Sequence, residues 1–126
     1  MKVAVIGKGG REHTLAWKLA QSNDVEKIYC ISGNAGTAGL EKTENIVLEN
    51  DSIEGIAAFV KENGIGLTIV GPEDPLVNGI VDYFKEQGLN IFGPSKKAAI
   101  IEGSKIFTRE LLKKYGIPNA EFQSFD

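Results

Sequence analysis

Short apolar runs alternate with longer amphipathic segments along this chain of 126 residues. Five apolar runs have the length of strands and lie at residues 2–6, 27–31, 45–48, 67–70 and 90–92. Between most of them, apolar residues recur every three or four positions, as on the buried face of a helix. Strands that alternate with helices are joined by crossover connections and therefore run parallel. The pattern predicts an α/β fold: an open parallel sheet with helices on both faces.

The last third of the chain follows a different pattern. A glycine–proline–serine turn precedes two predicted helices, at 96–102 and 104–115, and the second ends at a glycine followed two residues later by proline. Residues 121–125 begin a strand-like segment with no partner. We therefore divide the chain into a domain at 1–93 and a lead-in to another domain at 94–126, and we expect the sequence to be a truncated piece.

Composition and charge narrow the class of partner. A net charge of −3 and a pI near 5.2 provide no basic face for nucleic acid. No apolar run approaches the ~20 residues that span a bilayer. The single cysteine, Cys30, lies in an apolar run and has no partner for an intramolecular disulfide. A strand from residue 2 leaves no room for a targeting peptide. We expect a cytoplasmic chain with no nucleic-acid or membrane partner, and we leave its oligomeric state open.

The turn after the first run is the strongest candidate for chemistry. Gly7-Lys8-Gly9-Gly10 joins a strand to a helix, and Arg11 follows directly. The first turn of a helix presents backbone N–H groups without intrahelical partners at the positive end of its dipole. Glycines let an anion approach without meeting a Cβ, and Lys8 and Arg11 add charge. The pattern favours a phosphate site, although the same glycines also serve a plain strand–helix turn.

Two departures from the dinucleotide fingerprint make NAD the weaker ligand. The fingerprint has a third glycine where this chain has Glu12, and an acidic residue at the end of the second strand. Here that strand is followed by Ser32-Gly33-Asn34. A dinucleotide-binding domain of an oxidoreductase or regulatory protein remains the alternative, followed by a non-catalytic interaction module.

Two further loops follow strands and are expected at the same edge of the sheet as the glycine turn. Residues 32–39 are rich in small side chains, and Pro72, Glu73 and Asp74 come directly after the fourth strand and one glycine. Loops at the carboxyl ends of parallel strands form the ligand crevice of such sheets. A carboxylate there accepts hydrogen bonds from sugar hydroxyls or an amine. Alternatively, such a carboxylate stabilises the start of a helix through the helix dipole. We predict that helix from about residue 76 to Gly88.

Four motifs in this order resemble the phosphoribosylamine–glycine ligase family. They are Gly7 to Trp17, Gly33 to Thr37, Val70 to Glu73, and Gly93-Pro94-Ser95 with Glu102 to Lys105. The motifs extend over nearly all of the chain. The resemblance implies a Rossmann-like pre-ATP-grasp domain, followed by a helical lead-in to an ATP-grasp domain that lies outside this sequence.

The resemblance also implies a reaction of de novo purine synthesis. ATP phosphorylates the glycine carboxylate, and the amine of 5-phosphoribosylamine attacks the resulting glycyl phosphate to give glycinamide ribonucleotide. The implied small-molecule partners are therefore 5-phosphoribosylamine, glycine and ATP. ATP and magnesium are expected to bind mainly to the portion outside this chain, so we expect no catalytic residue and no metal ligand here, and no ligase activity from this piece alone.

The resemblance assigns site residues by their match to the motifs. The implied substrate-binding residues are Gly9, Gly10, Arg11, Glu12, Asn34, Gly36, Pro72 and Glu73, and Lys105 is expected to reach ATP phosphate. Gly9, Gly10 and Arg11 would hold the 5-phosphate, and Glu73 would accept hydroxyl or amine hydrogen bonds. Lys8 stands where the family pattern has asparagine, and Asp74 where it has a small residue. The second departure leaves open which carboxylate meets the substrate, and the role of His13 also stays open.

Overall fold

The computed structural model describes residues 1–123 and has the predicted α/β fold. The strands are β1 (Lys2–Gly7), β2 (Lys27–Ser32), β3 (Thr43–Ile46), β4 (Leu67–Val70) and β5 (Ile91–Phe92). The helices are α1 (Gly10–Ala20), α2 (Ala35–Ala38), α3 (Ile53–Glu62), α4 (Glu73–Val77), α5 (Ile80–Glu86), α6 (Lys96–Gly103) and α7 (Lys105–Lys114).

The five strands form one parallel sheet in the order β3-β2-β1-β4-β5. The chain starts with β1 at the centre of the sheet. It adds β2 and β3 toward one edge and then returns past β1 to add β4 and β5 toward the other edge. Loops that leave the carboxyl ends of β1 and β4 therefore diverge, and such a switch point opens a crevice for ligands. The topology places the crevice next to the glycine turn.

Alternate residues of β1 face two separate apolar clusters, one on each side of the sheet. Ala4 and Ile6 face the larger cluster, which includes side chains of α3, α4 and α5, while Val3 and Val5 face the smaller one beneath α1. Cys30 is fully buried in the smaller cluster, as predicted, and burial raises the pKa of its thiol to about 11. The thiol is therefore neutral near pH 7.

Two predicted elements differ from the structure. The third strand is Thr43–Ile46 and not 45–48, because this edge strand pairs only with β2 and its register follows that pairing; Val47 is 87% exposed. The single helix predicted from about residue 76 is two helices, α4 and α5. Gly79, with φ of +95°, separates them in a left-handed conformation that a continuous helix does not contain.

Two smaller differences concern the loops and the end of the described chain. The small-residue loop contains α2, a single helical turn capped by Asn34. The strand predicted at 121–125 is not formed over residues 121–123, and the rest of that segment lies outside the described residues. The helices predicted at 96–102 and 104–115 are confirmed as α6 and α7, with Ser95 and Ser104 as their N-caps.

Helix α6 packs against α4 and α5, although the sequence placed it beyond the first domain. Ala99 is buried in the larger apolar cluster, and the Lys96 backbone N–H donates to the Asp82 carboxylate at 2.8 Å. Helix α7 contributes no buried residue, and Ile106 and Phe107 are exposed. The division after residue 93 stays a prediction. Over residues 1–123, no helix combines the length and apolarity that crossing a membrane requires.

Two fully buried threonines provide a matched test of the core. Within residues 1–123, the Thr68 hydroxyl in β4 has no hydrogen-bond partner, whereas the Thr37 hydroxyl contacts Asn45 Oδ1 at 2.7 Å. A buried hydroxyl without a partner carries a desolvation penalty. Thr68→Val is expected to raise the free energy of unfolding in urea by about 1 kcal/mol, and Thr37→Val to lower it by about 1–3 kcal/mol. Equal losses from both variants would contradict this interpretation of Thr68.

Candidate functional site

A cleft of about 460 Å³ opens at the carboxyl ends of β1, β2 and β4, where the crevice was predicted. Its walls are the glycine turn after β1, Ser32 at the end of β2, Asp51 before α3, and Pro72 with Asp74 after β4. Two slightly larger hollows, of about 550 and 530 Å³, lie along α6, α7 and the residues after them, away from the strand ends. The cleft at the switch point is therefore the candidate site.

The glycine turn leaves the start of α1 open to the solvent. Gly7 has φ of +122°, which glycine adopts without strain, and Gly9 is the N-cap residue of α1. Among residues 1–123, the backbone N–H groups of Gly10 and Arg11 have no hydrogen-bond partner. Lys8 is exposed beside them. These donors, the helix dipole and the lysine charge together form an anion site.

Glu12 is buried beneath this turn, with 4% of its surface exposed. Its Oε2 accepts from the Gly9 N–H at 2.6 Å. A methyl group at Gly7 would lie 2.8 Å from the Glu12 side chain, and one at Gly71 would overlap Oε1. The carboxylate thus fills the space between the ends of β1 and β4, where the dinucleotide fingerprint has its third glycine. Glu12 lines the floor of the cleft, and its contact with substrate stays a prediction.

Arg11 joins the turn to the end of β4. Its guanidinium donates to the Gly71 carbonyl, and its Nε lies 4.0 Å from Glu12 Oε1. The side chain is 57% exposed, so the guanidinium lies at the surface of the protein. Arg11 therefore combines a structural hydrogen bond with the position predicted for a phosphate contact.

Asn34, predicted to line the crevice, directs its amide toward the glycine turn. Its Nδ2 donates to the carbonyls of Lys8 and Gly9 at 2.9 and 3.2 Å. Asn34 Oδ1 accepts from the Thr37 N–H at 3.0 Å. The side chain of Asn34 is thus engaged within the fold, and it is not among the residues that line the cleft.

Gly36, also predicted to line the crevice, packs against His13. A methyl group at Gly36 would lie 2.6 Å from the imidazole, so the absence of a side chain lets α2 approach α1. Gly36 is not among the residues that line the cleft. The structure thus gives His13 a packing contact between α1 and α2.

The two carboxylates after β4 differ in position. Both are exposed in the first turn of α4, but Asp74 lines the cleft together with Pro72, whereas Glu73 is not among the lining residues. Lys105 is exposed at the start of α7 and does not line the cleft either. The predicted ligand contacts of Glu73 and Lys105 remain predictions.

Two residues at or behind the cleft were missed as functional candidates. Asp51, which directly precedes the N-cap residue Ser52 of α3, lines the cleft. Asn45 makes one hydrogen bond to Asn34 and one to Thr37, as described below. Neither role has a local sequence signal, because each depends on contacts between segments that are distant in the chain.

Comparison with known proteins gives concordant results. The family model described as "Phosphoribosylglycinamide synthetase, N domain" matches residues 1–102. The phosphoribosylamine–glycine ligase of Pasteurella multocida strain Pm70 is 55% identical over 125 residues, which cover 99% of this chain and 29% of that protein. The crystal structure of the phosphoribosylamine–glycine ligase of Thermotoga maritima superposes with a TM-score of 0.63 at 29% identity, over 98% of this chain and 27% of that one.

A more distant structure shares the fold. The biotin carboxylase domain of the Hydrogenobacter thermophilus 2-oxoglutarate carboxylase superposes with a TM-score of 0.66 at 19% identity, over 94% of this chain and 28% of that one. This chain thus spans less than a third of the length of the relatives it matches. With the family model matching most of its length, the chain belongs to the family of phosphoribosylglycinamide synthetase N domains.

Proposed function

We propose that this chain is the N-terminal, substrate-binding part of an ATP-dependent ligase that joins glycine to 5-phosphoribosylamine in purine biosynthesis. The proposal depends mainly on one observation: the backbone N–H groups at the start of α1 are open to a ligand beside the cleft at the sheet's switch point. The 5-phosphate of the substrate needs backbone donors and positive charge, which the glycine turn supplies. The ribose and its amine need acceptors, which the opposite wall supplies. The 55% identity with a ligase of this name supports the same function.

The proposed reaction has two steps. ATP transfers its γ-phosphoryl group to the glycine carboxylate, which gives an acyl phosphate and releases ADP. The amine nitrogen of 5-phosphoribosylamine then attacks the acyl carbon, the bond from that carbon to the phosphate oxygen breaks, and the amine loses a proton. The products are glycinamide ribonucleotide and inorganic phosphate. This chain's part in the sequence is to bind and orient the sugar phosphate.

The cleft and the open start of α1 beside it have separate roles in this proposal. Gly10 and Arg11 are not among the residues that line the cleft, and their N–H groups bind the 5-phosphate at its edge, where the Lys8 ammonium adds charge. Asp74, rather than Glu73, accepts hydrogen bonds from ribose hydroxyls or from the amine, because Asp74 lines the cleft and Glu73 does not. Glu12 fixes the shape of the turn from below.

We assign the binding of ATP and magnesium mainly to the part of the ligase that this chain does not cover. Among residues 1–123, no three His, Cys, Asp or Glu side chains are grouped to hold a metal ion. We therefore derive no step through magnesium from these residues. Lys105, exposed at the start of α7, is the residue that we propose for contact with ATP phosphate. A cytoplasmic location is part of the same proposal and is supported by the free thiol of Cys30.

Calorimetric titration with glycinamide ribonucleotide tests this function, with NAD as the comparison ligand. Lys8→Glu is expected to weaken product binding about tenfold, because it replaces an attractive charge with a repulsive one at the anion site. Within residues 1–123 the Lys8 side chain makes no hydrogen bond or salt bridge, so the stability of the Lys8→Glu variant should match that of the parent chain. Lys97→Glu, an equal change of net charge on the exposed surface of α6, is the control and should leave the affinity unchanged.

Two results of this titration would contradict the proposed function. Binding of NAD without binding of glycinamide ribonucleotide would overturn the proposal in favour of a dinucleotide-binding domain. Equal weakening by Lys8→Glu and Lys97→Glu would show a general charge effect. It would contradict the proposal that the phosphate binds at the glycine turn.

A further inference from the structure

Two peptide planes of the glycine turn are held by side chains from different parts of the chain. The Lys8 carbonyl accepts from Asn34 Nδ2 at 2.9 Å, and the N–H of the same plane, on Gly9, donates to Glu12 Oε2 at 2.6 Å. The Gly9 carbonyl accepts from Asn34 Nδ2 at 3.2 Å and also from the His13 backbone N–H of α1 at 3.1 Å. In a trans peptide the C=O and N–H point in opposite directions. Fixing the Gly9 carbonyl therefore also fixes the direction of the Gly10 N–H, which is one of the open donors.

Asn34 is itself held in one orientation. Its Oδ1 accepts from the Thr37 N–H at 3.0 Å, so its Nδ2 must face the carbonyls of the turn. Reversing the amide would place donor against donor and acceptor against acceptor. The Asn34 backbone is also fixed, because its N–H donates to the Thr37 hydroxyl at 2.8 Å. The orientation of this amide therefore depends on the residues around it.

Asn45, in β3, holds both of these residues. Its Nδ2 donates to the Asn34 carbonyl at 2.8 Å, and its Oδ1 lies 2.7 Å from the Thr37 hydroxyl, which can donate to it. Thr37 is fully buried and Asn45 is half-buried. A methyl group at Gly33 would overlap the Asn45 amide, so the loop packs directly on this side chain. Asn45 is not among the residues that line the cleft, and any effect on a ligand must pass through Asn34.

We propose that Asn45 is a positioning residue that acts through Asn34 to aim the backbone N–H groups of the glycine turn at the substrate phosphate. The functional part of this inference rests on the proposed function. The geometric part rests on the hydrogen bonds alone. A loop whose peptide planes are free to rotate must be ordered when the ligand binds, and that ordering reduces affinity.

The test uses the 126-residue chain with ribose 5-phosphate as the probe. Asn45→Ala is expected to weaken binding about tenfold by calorimetry, the equivalent of about 1.4 kcal/mol. In ¹⁵N-correlated NMR spectra without ligand, the amide signals of Gly9 and Gly10 are expected to shift, and hydrogen exchange at Gly9 to accelerate. Asn45→Asp is the milder variant in case Asn45→Ala does not fold. It retains the acceptor for Thr37 and loses the donor to Asn34.

Asn63→Ala is the matched control for loss of a half-buried asparagine. Asn63 Nδ2 donates to the Phe59 carbonyl at 2.9 Å at the end of α3, which packs on the other face of the sheet. This variant should leave the affinity and the two glycine signals unchanged. Thr37→Ser keeps the hydroxyl and should behave as the parent chain, whereas Thr37→Val should reproduce the effect of Asn45→Ala.

Two results would overturn the inference. One is a folded Asn45 variant with unchanged affinity and unchanged Gly9 and Gly10 signals. The other is an equal change in Asn63→Ala, which would indicate a general loss of stability. Absence of ribose 5-phosphate binding by the parent chain would count against the proposed function, while the two glycine signals would still decide whether Asn45 positions the turn.

Discussion

Replacing Glu12 with alanine is expected to lower the free energy of unfolding by about 3 kcal/mol. The buried carboxylate accepts the Gly9 N–H at 2.6 Å, and hydrogen bonds to charged groups contribute about 1.5–3 kcal/mol. Its loss also leaves a cavity between the ends of β1 and β4, which adds a further cost. Urea unfolding followed by circular dichroism measures the difference. Glu12→Gln retains an acceptor and nearly the same volume, so its loss should be smaller.

Glu54 provides the matched control. Like Glu12 in α1, it lies in the first turn of its helix, α3, but it is one position nearer the N-cap and is exposed. Glu54→Ala should remove only the favourable interaction with the helix dipole, about 0.5 kcal/mol. Comparable losses from Glu12→Ala and Glu54→Ala would show that the contacts beneath the turn do not stabilise the fold.

Replacing Gly71 with alanine is the second large effect that we expect, also a loss of about 3 kcal/mol. The new methyl group would overlap Glu12 Oε1. The backbone has little freedom to move away, because the Gly71 N–H donates to the Ile6 carbonyl at 3.1 Å and its own carbonyl accepts from Arg11. The carboxylate must therefore leave its position, and its hydrogen bond to Gly9 is lost.

A double-mutant cycle isolates the contact. In the Glu12→Ala background, Gly71→Ala should cost much less than in the parent chain, because the overlapping carboxylate is gone. Gly10→Ala is the single-site control, since a methyl group there meets no atom within 4 Å and lies in the first turn of α1. It should be neutral or slightly stabilising. Additive losses in the cycle would contradict the contact.

The sequence predicts the parallel sheet well because its inner strands are buried on both faces and are therefore almost wholly apolar. It predicts β3 poorly because this strand lies at the edge of the sheet and is mostly polar. This edge strand reads Thr-Glu-Asn-Ile, and the apolar pair Val47-Leu48 just beyond it carries the stronger signal. The break between α4 and α5 was missed because Gly79 interrupts a pattern that otherwise continues in helical register.

The sequence likewise predicts only part of the candidate site. Strand, glycines and helix in succession are sufficient to predict an anion site at the turn. Local sequence indicates only part of what holds that turn. Glu12 accepts from the Gly9 N–H three residues earlier, whereas Asn34 and Asn45 act through contacts between segments that are distant in the chain. The family motif predicts that Asn34 binds substrate, which stays a prediction, and it does not predict that the Asn34 amide holds the turn. Asp74 lines the cleft and the neighbouring Glu73 does not, a difference that residue type alone does not predict.

A crystal structure of this chain with glycinamide ribonucleotide tests the central claim most directly. The account predicts the ligand phosphate within hydrogen-bonding distance of the Gly10 and Arg11 N–H groups, with the ribose directed toward Asp74. A phosphate bound elsewhere, such as the hollow between α6 and α7, with the glycine turn unoccupied, would contradict the account.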